Sequence, residues 1–214
     1  MRPRPWQREA LRHIFARRAD GRRRHRIAIY STARKNGKTN CPGAGVALYG
    51  LTMEGEGAQV ISCAADREQA KLVFGAAKRM VELDPDLSSE IRPYSHVLEH
   101  KVTGSTYRAV SSEAYTKEGL SPNIIIGDEL HAWPTRELFD VMQLAMGSRI
   151  DPLFLIPTTA GVMSTRKEEE SILYRLYQYG LSIIRGEVDD PTFFMAWGGA
   201  LDTEDHRDES VWAA

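Results

Sequence analysis

Gly37, Lys38 and Thr39 follow a short apolar run, and far downstream Asp128 and Glu129 follow another. A Gly-Lys-Thr triplet after a strand can close a phosphate-binding loop. There, successive backbone N–H groups and a helix N-terminus point at polyphosphate. The lysine reaches the β/γ-phosphates and the hydroxyl ligates Mg2+. An acidic pair at a second strand end supplies the complement. Asp128 is placed to hold Mg2+, directly or through water, and Glu129 to orient and deprotonate the attacking water. Alone, the first segment reads equally as a basic surface turn and the second as a solvated strand end. Together, each after a buried run, they point to a nucleotide hydrolase.

The loop departs from the usual pattern. In STARKNGKTN the motif G-x-x-x-x-G-K-S/T asks for glycine where Thr32 stands, and Arg34, Lys35 and Asn36 fill its interior. The first glycine mainly eases the turn out of the strand, so Thr32 serves if its φ is negative.

The elements that must position these groups are legible in outline. Pro5 to Arg18 predicts an amphipathic helix, with Trp6, Ala10, Leu11, Ile14 and Phe15 on one face and Pro5 in the first turn. RIAIYS, AQVISCAA, NIIIG and PLFLIP read as buried strands. HVLEHKV and TYRAVSS read as a hairpin around Gly104. Helices are expected over 38–50 with Pro42 in the first turn, from the Asp66–Gln69 capping pair to Leu83, from Arg136 to Met146, and over 166–185. The acidic tail is weakly patterned. Strands alternating with helices predict an α/β fold with a mostly parallel sheet flanked by helices. Ligands of such sheets sit at the carboxyl ends of the strands, where STARKNGKT, AADREQA, DELH and TTAG all fall.

The bulk properties fit. At 214 residues the chain suits one large domain, alone or with a small appendage. No apolar run approaches the ~20 residues of a membrane span, and the basic N-terminus is followed by no apolar signal segment. Cys41 and Cys63 lack metal-like spacing and read as free thiols in a reducing compartment, hence the cytoplasm. Net charge is −1, but arginines crowd residues 2–26 and acids crowd residues 187–209. That asymmetry suits either a nucleic-acid or subunit face, or a solvated surface.

The segments WQREALRHIF, ARKNGKT, AADREQAKLVF, SPNIIIGDELHAW and PLFLIPTTAG, in this order, resemble large terminase subunits, most nearly those of HK97-like tailed phages. These are ATP-driven motors that pump DNA into capsids. The resemblance covers nearly the whole chain, and a basic loop with an altered first glycine is itself typical of that group. It implies a P-loop NTPase core of the RecA-like, additional-strand catalytic-Glu type over residues 1–163. A small C-terminal lid subdomain would follow over 164–214. The family usually continues into a nuclease; the tail has no strand-borne acidic cluster to supply one, so an ATPase domain alone is expected.

The resemblance also implies roles and partners. Gln7, beside Trp6, would read adenine, and Thr158, Thr159 and Gly161 would form a coupling motif that senses the γ-phosphate. Arg34, Lys35, Asn36, Gly37, Lys38 and Thr39 would cradle ATP, with Thr39 and Asp128 on Mg2+. The second cation on the transferring phosphoryl group would come from a neighbouring subunit, with Lys117 and Arg149 as candidates; Arg34 could act from within its own subunit. The implied partners are double-stranded DNA, a ring of identical subunits, a portal and a small terminase subunit. The setting would be the host cytoplasm, and the isolated chain a monomer. Two rival functions remain: a helicase-like remodeller, and a nucleotide-gated DNA-binding or assembly module with negligible turnover. His131 reads as a packing or outer-shell residue, and Gly127 as a loosening of the strand end before the acids.

Overall fold

The computed structural model describes residues 3–110, 119–161 and 171–199. In chain order its elements are α1 (Pro5–Ile14), β1 (Ile27–Ser31), α2 (Gly45–Met53), β2 (Gln59–Cys63), α3 (Arg67–Leu83), α4 (Pro85–Glu90), β3 (Ile91–Pro93), β4 (Val97–His100), β5 (Thr106–Val110), β6 (Ile124–Gly127), α5 (Glu137–Ala145), β7 (Leu153–Thr158), α6 (Ile172–Ile184) and β8 (Phe193–Trp197).

Period-two alternation splits the sheet's side chains between two cores. Ala28, Tyr30, Ile124, Ile126, Leu153 and Leu155 face α1, α2 and α3. Ile29, Ile125, Phe154 and Ile156 face α5 and α6. Every residue of β6 and β7 is buried, as strands covered on both faces must be. The eight strands run in the order β3-β4-β5-β2-β6-β7-β1-β8. Neighbours from β5 to β8 are parallel, and the β3–β4 and β4–β5 pairs are antiparallel. β7 therefore lies between β1 and β6, and its carboxyl end separates the phosphate loop from the acidic pair.

Several boundaries differ from the sequence expectation. α1 ends at Ile14 rather than Arg18, because the chain folds back: Arg18 N–H donates to the Arg22 carbonyl at 2.8 Å, with Gly21 at φ 80° in the turn. The buried face of α1 is Gln7, Ala10 and Ile14; Trp6 is 40% exposed and stacks on Tyr30, ring centroids 6.1 Å apart. Pro42 breaks the helix after the loop. It drives the preceding Cys41 into extended backbone (φ −142°, ψ 113°), and regular helix resumes only at Gly45. Asp66 caps α3 as expected, accepting from Gln69 N–H at 2.9 Å.

The larger difference is β8. It pairs in parallel with β1, Ile27 against Phe193 through Ser31 against Trp197, and α6 packs behind it into the second core. Residues 171–199, expected in a lid, thus complete the sheet. β8 is an edge strand with only Phe193 buried, and its apolar run FFMAW is short and set amid acidic neighbours.

One N-terminal arginine is not surface charge. The Arg23 side chain is 1% exposed and pairs with Glu54, just past α2, while its backbone N–H donates to Asp151 Oδ1 at 2.7 Å. Removing one partner of a buried pair strands the other charge. Glu54→Ala is therefore expected to lower unfolding free energy by ~3–5 kcal/mol, read from urea denaturation. A loss below ~1 kcal/mol would mean that Asp151 takes over the guanidinium.

Candidate active site

The three strand ends are tied together by backbone bonds beyond the ladder. Thr32 N–H donates to the Thr158 carbonyl (3.1 Å), Glu129 N–H to the Pro157 carbonyl (3.0 Å) and Asp128 N–H to the Cys63 carbonyl (2.9 Å). Loop, acids and TTAG segment are thus held in fixed register at the carboxyl ends of β1, β6 and β7.

Thr32 explains how the loop manages without its first glycine. Its φ is not positive; the left-handed positions are Lys35 (φ 68°) and Gly37 (φ 76°). The Thr32 side chain is 8% exposed, and its Oγ1 accepts from Asn36 Nδ2 at 3.2 Å, closing the loop on itself. Arg34 and Lys35 are exposed, whereas Lys38 is buried. The Gln7 Nε2 donates to the Asn36 carbonyl (3.1 Å) and its Oε1 accepts from Arg4 N–H (2.9 Å). These bonds clamp α1 to the loop and still leave the amide a second N–H and a second oxygen lone pair.

The two adjacent carboxyls are pushed in opposite directions. Asp128 is 2% exposed. Burial, reinforced by the Glu129 charge, raises it to about 7. Burial alone would raise Glu129 too, but hydrogen bonds and charge from His131 and Lys38 bring it down to about 2. Lys38 Nζ stands 3.0 Å from Glu129 Oε1, and His131 Nδ1 stands 3.0 Å from Oε2. Glu129 has φ 50°, a left-handed conformation that costs a non-glycine residue ~1–2 kcal/mol. Its backbone bond to Pro157 and both side-chain partners hold it there. Gly127 does not loosen the strand end: a Cβ there would stand 2.7 Å from the Phe154 ring, which fills the space. Trp133 buttresses the acids, its Nε1 donating to the Asp128 carbonyl at 3.0 Å.

Asp128 Oδ1 is buried and has no protein hydrogen-bond partner. Such an orphaned oxygen fits a metal ligand. A carboxylate and a hydroxyl such as those of Asp128 and Thr39 are oxygen donors, the kind Mg2+ takes.

Thr158 and Thr159 are 0% and 7% exposed. Thr159 Oγ1 lies 3.5 Å from Glu129 Oε2 and 3.3 Å from His131 Nδ1. Gly161 passes so close that a Cβ would sit 2.6 Å from His131 Cβ. The structure thus brings together Gln7, the loop, Asp128, Glu129, Thr158, Thr159 and Gly161. It does not bring Arg149 there: that residue lies before the amino end of β7, its Nε donating to the Ser121 carbonyl at 2.8 Å. Lys117 lies outside the described residues. His131, read from sequence as a packing or outer-shell residue, touches Glu129, and Trp133 touches Asp128. The available signal was spacing alone: the 3-10 turn Leu130–Ala132 swings His131 back over Glu129.

Comparison with known proteins identifies the family and the fold. A family model described as "Terminase large subunit, ATPase domain" matches residues 5–179. The terminase large subunit of Enterobacteria phage HK97 is 37% identical over 139 residues, 62% of this chain and 27% of that protein, so this chain spans about a quarter of its relative's length. The crystal structure of the HK97 large terminase superposes with a TM-score of 0.78 at 26% identity, covering 98% of this chain and 42% of that one. The large terminase ATPase domain of Thermus phage P74-26 gives 0.57 at 18% identity, covering 77% and 71%. A large terminase of a thermophilic bacteriophage, solved with ADP, gives 0.56 at 12% identity, covering 88% and 44%. These last two likenesses are of fold.

Proposed function

Because the chain belongs to the family of terminase large subunit ATPase domains, we propose that it is an ATP-hydrolysing motor domain that drives double-stranded DNA into a viral procapsid. The observation that carries this reading is the convergence of Lys38 and Glu129, 3.0 Å apart, on strand ends separated by the Thr158–Gly161 segment.

Lys38 and Glu129 neutralise each other across their 3.0 Å contact. Phosphate oxygens compete for the Lys38 ammonium, and the backbone around Gly37 and the exposed Arg34 and Lys35 favour the same anion. As Lys38 turns to phosphate, Glu129 loses the cation that depresses its basicity. It then becomes a better acceptor for the proton of an attacking water. Thr39 and Asp128 would hold Mg2+, which supplies charge neutralisation on the β/γ oxygens. Thr158 and Thr159, between loop and base, are placed to sense the loss of the terminal phosphate.

The partners follow from this role: DNA, identical subunits in a ring, a portal and a small terminase subunit, in the host cytoplasm. The isolated chain would be a monomer with slow turnover, its second cation arriving from a neighbour's Lys117 or Arg149. Exposed Arg8, Arg12, Arg18, Arg22, Arg24 and Arg26 supply a basic surface for phosphates.

Two measurements test this. ATP hydrolysis by the chain should require Mg2+ and rise with assembly partners and DNA. Binding to mixed-sequence duplex should weaken about tenfold between ~50 and ~200 mM salt for two phosphate contacts, and more for each further one. Strand unwinding would instead favour a helicase-like remodeller, and tight ATP binding with no turnover in any assembly a nucleotide-gated module. Binding that survives high salt or selects one short sequence would overturn the packaging role.

A further inference from the structure

His131 is the residue whose contacts exceed any role given to it so far. Its Nδ1 stands 3.0 Å from Glu129 Oε2, 3.2 Å from Thr158 Oγ1 and 3.3 Å from Thr159 Oγ1. A ring nitrogen carries at most one hydrogen, so it can serve only one of the three oxygens at a time. The carboxylate is nearest and charged, and takes it. Thr158 is meanwhile satisfied elsewhere, its hydroxyl donating to the Thr159 carbonyl at 3.1 Å.

Lys38 and His131 hold opposite oxygens of Glu129. Once phosphate draws Lys38 away, the only other side-chain bond to the carboxylate among the described residues is that from Thr159, at the 3.5 Å limit of hydrogen bonding. His131 then fixes the direction of the base. The imidazole is in turn locked to β7's end by the close pass of Gly161, with Leu173 of α6 packed behind the same glycine.

We propose that His131 is a positioning residue, which aims Glu129 after Lys38 has left it and redirects its Nδ1–H hydrogen bond to the Thr158 or Thr159 hydroxyl oxygen when Glu129 moves. The Thr158–Gly161 segment thereby registers the position of the base. The inference rests on the hydrolase reading above.

The side-chain geometry supplies the test. Asparagine places an amide N–H near the Nδ1 position, whereas glutamine reaches the Nε2 position instead. In single-turnover ATP hydrolysis by the whole chain, His131→Ala and His131→Gln should slow the chemical step ~10- to 100-fold, with ATP affinity held within about twofold. His131→Asn should recover most of the rate, and melting temperatures should not track the rates. Equal rates for wild type and His131→Ala, or rescue by glutamine and not asparagine, would overturn the proposal. Wild-type turnover abolished by Glu129→Gln keeps the hydrolase reading intact whichever way the His131 series falls. If the wild type shows no turnover, that reading fails, and amide hydrogen exchange of the nucleotide-free chain decides the proposal. Protection at Thr158–Gly161 should fall in His131→Ala and His131→Gln and persist in His131→Asn; equal protection in all four proteins would overturn it.

Discussion

Glu129→Gln is expected to bind ATP at least as tightly as wild type and to hydrolyse it ~10²- to 10⁴-fold more slowly, the usual worth of a general base. The two effects share one cause. The amide cannot accept a proton from water, so the chemical step loses its base. Nor does it carry the charge that occupies Lys38 Nζ at 3.0 Å, so phosphate meets an uncommitted ammonium. The amide oxygen can still accept from His131 Nδ1, which preserves the shape of the site. Rapid-quench hydrolysis and equilibrium binding of a slowly hydrolysed ATP analogue separate the effects. Hydrolysis within about tenfold of wild type would move the base to another residue.

That experiment probes a contact the sequence did not disclose. The central strands were legible because IAIYS, QVISC, IIIG and LFLIPT are continuous apolar runs, and burial on both faces leaves no other reading. The loop and the acidic pair were legible because their chemistry depends on backbone position, which strand ends dictate. What lay hidden depended on tertiary neighbours. β8 is an edge strand in an acidic stretch, and its place beside β1 follows from pairing rather than from periodicity. Gln7 also holds α1 to the loop through one bond at each end of its amide, a contact that depends on packing rather than on sequence pattern. The outer-shell role of His131 stayed unspecified because its partners Thr158 and Thr159 are distant in sequence and meet it only because β7 is inserted beside β6. Arg149, a candidate for the cation supplied by a neighbouring subunit, precedes TTAG in sequence but lies before the amino end of β7. A strand of six residues intervenes, and it carries the chain from one end of the sheet to the other.

Lys38→Ala should abolish productive nucleotide binding, for a reason distinct from the loss in Glu129→Gln. The ammonium interacts with phosphate charge in both ground and transition states, so its removal weakens binding as well as rate. A charge-assisted hydrogen bond contributes ~1.5–3 kcal/mol, which converts to a fall in ATP affinity of ~10- to 100-fold. Lys38→Arg should not rescue, because the buried position behind Gly37 suits a compact ammonium rather than a planar fork. Unfolding is not the expected cause of either loss. Glu129, the partner left behind, has a side chain 24% exposed and keeps its contact with His131, so its charge is not stranded in the interior as that of Arg23 would be without Glu54. The melting temperature of Lys38→Ala should therefore stay within a few degrees of wild type, a shift of ~1 kcal/mol at most for a chain of this size. Titration of nucleotide against that folded variant decides the matter. Affinity within about threefold of wild type would place the phosphates away from this loop and remove Lys38 from the site.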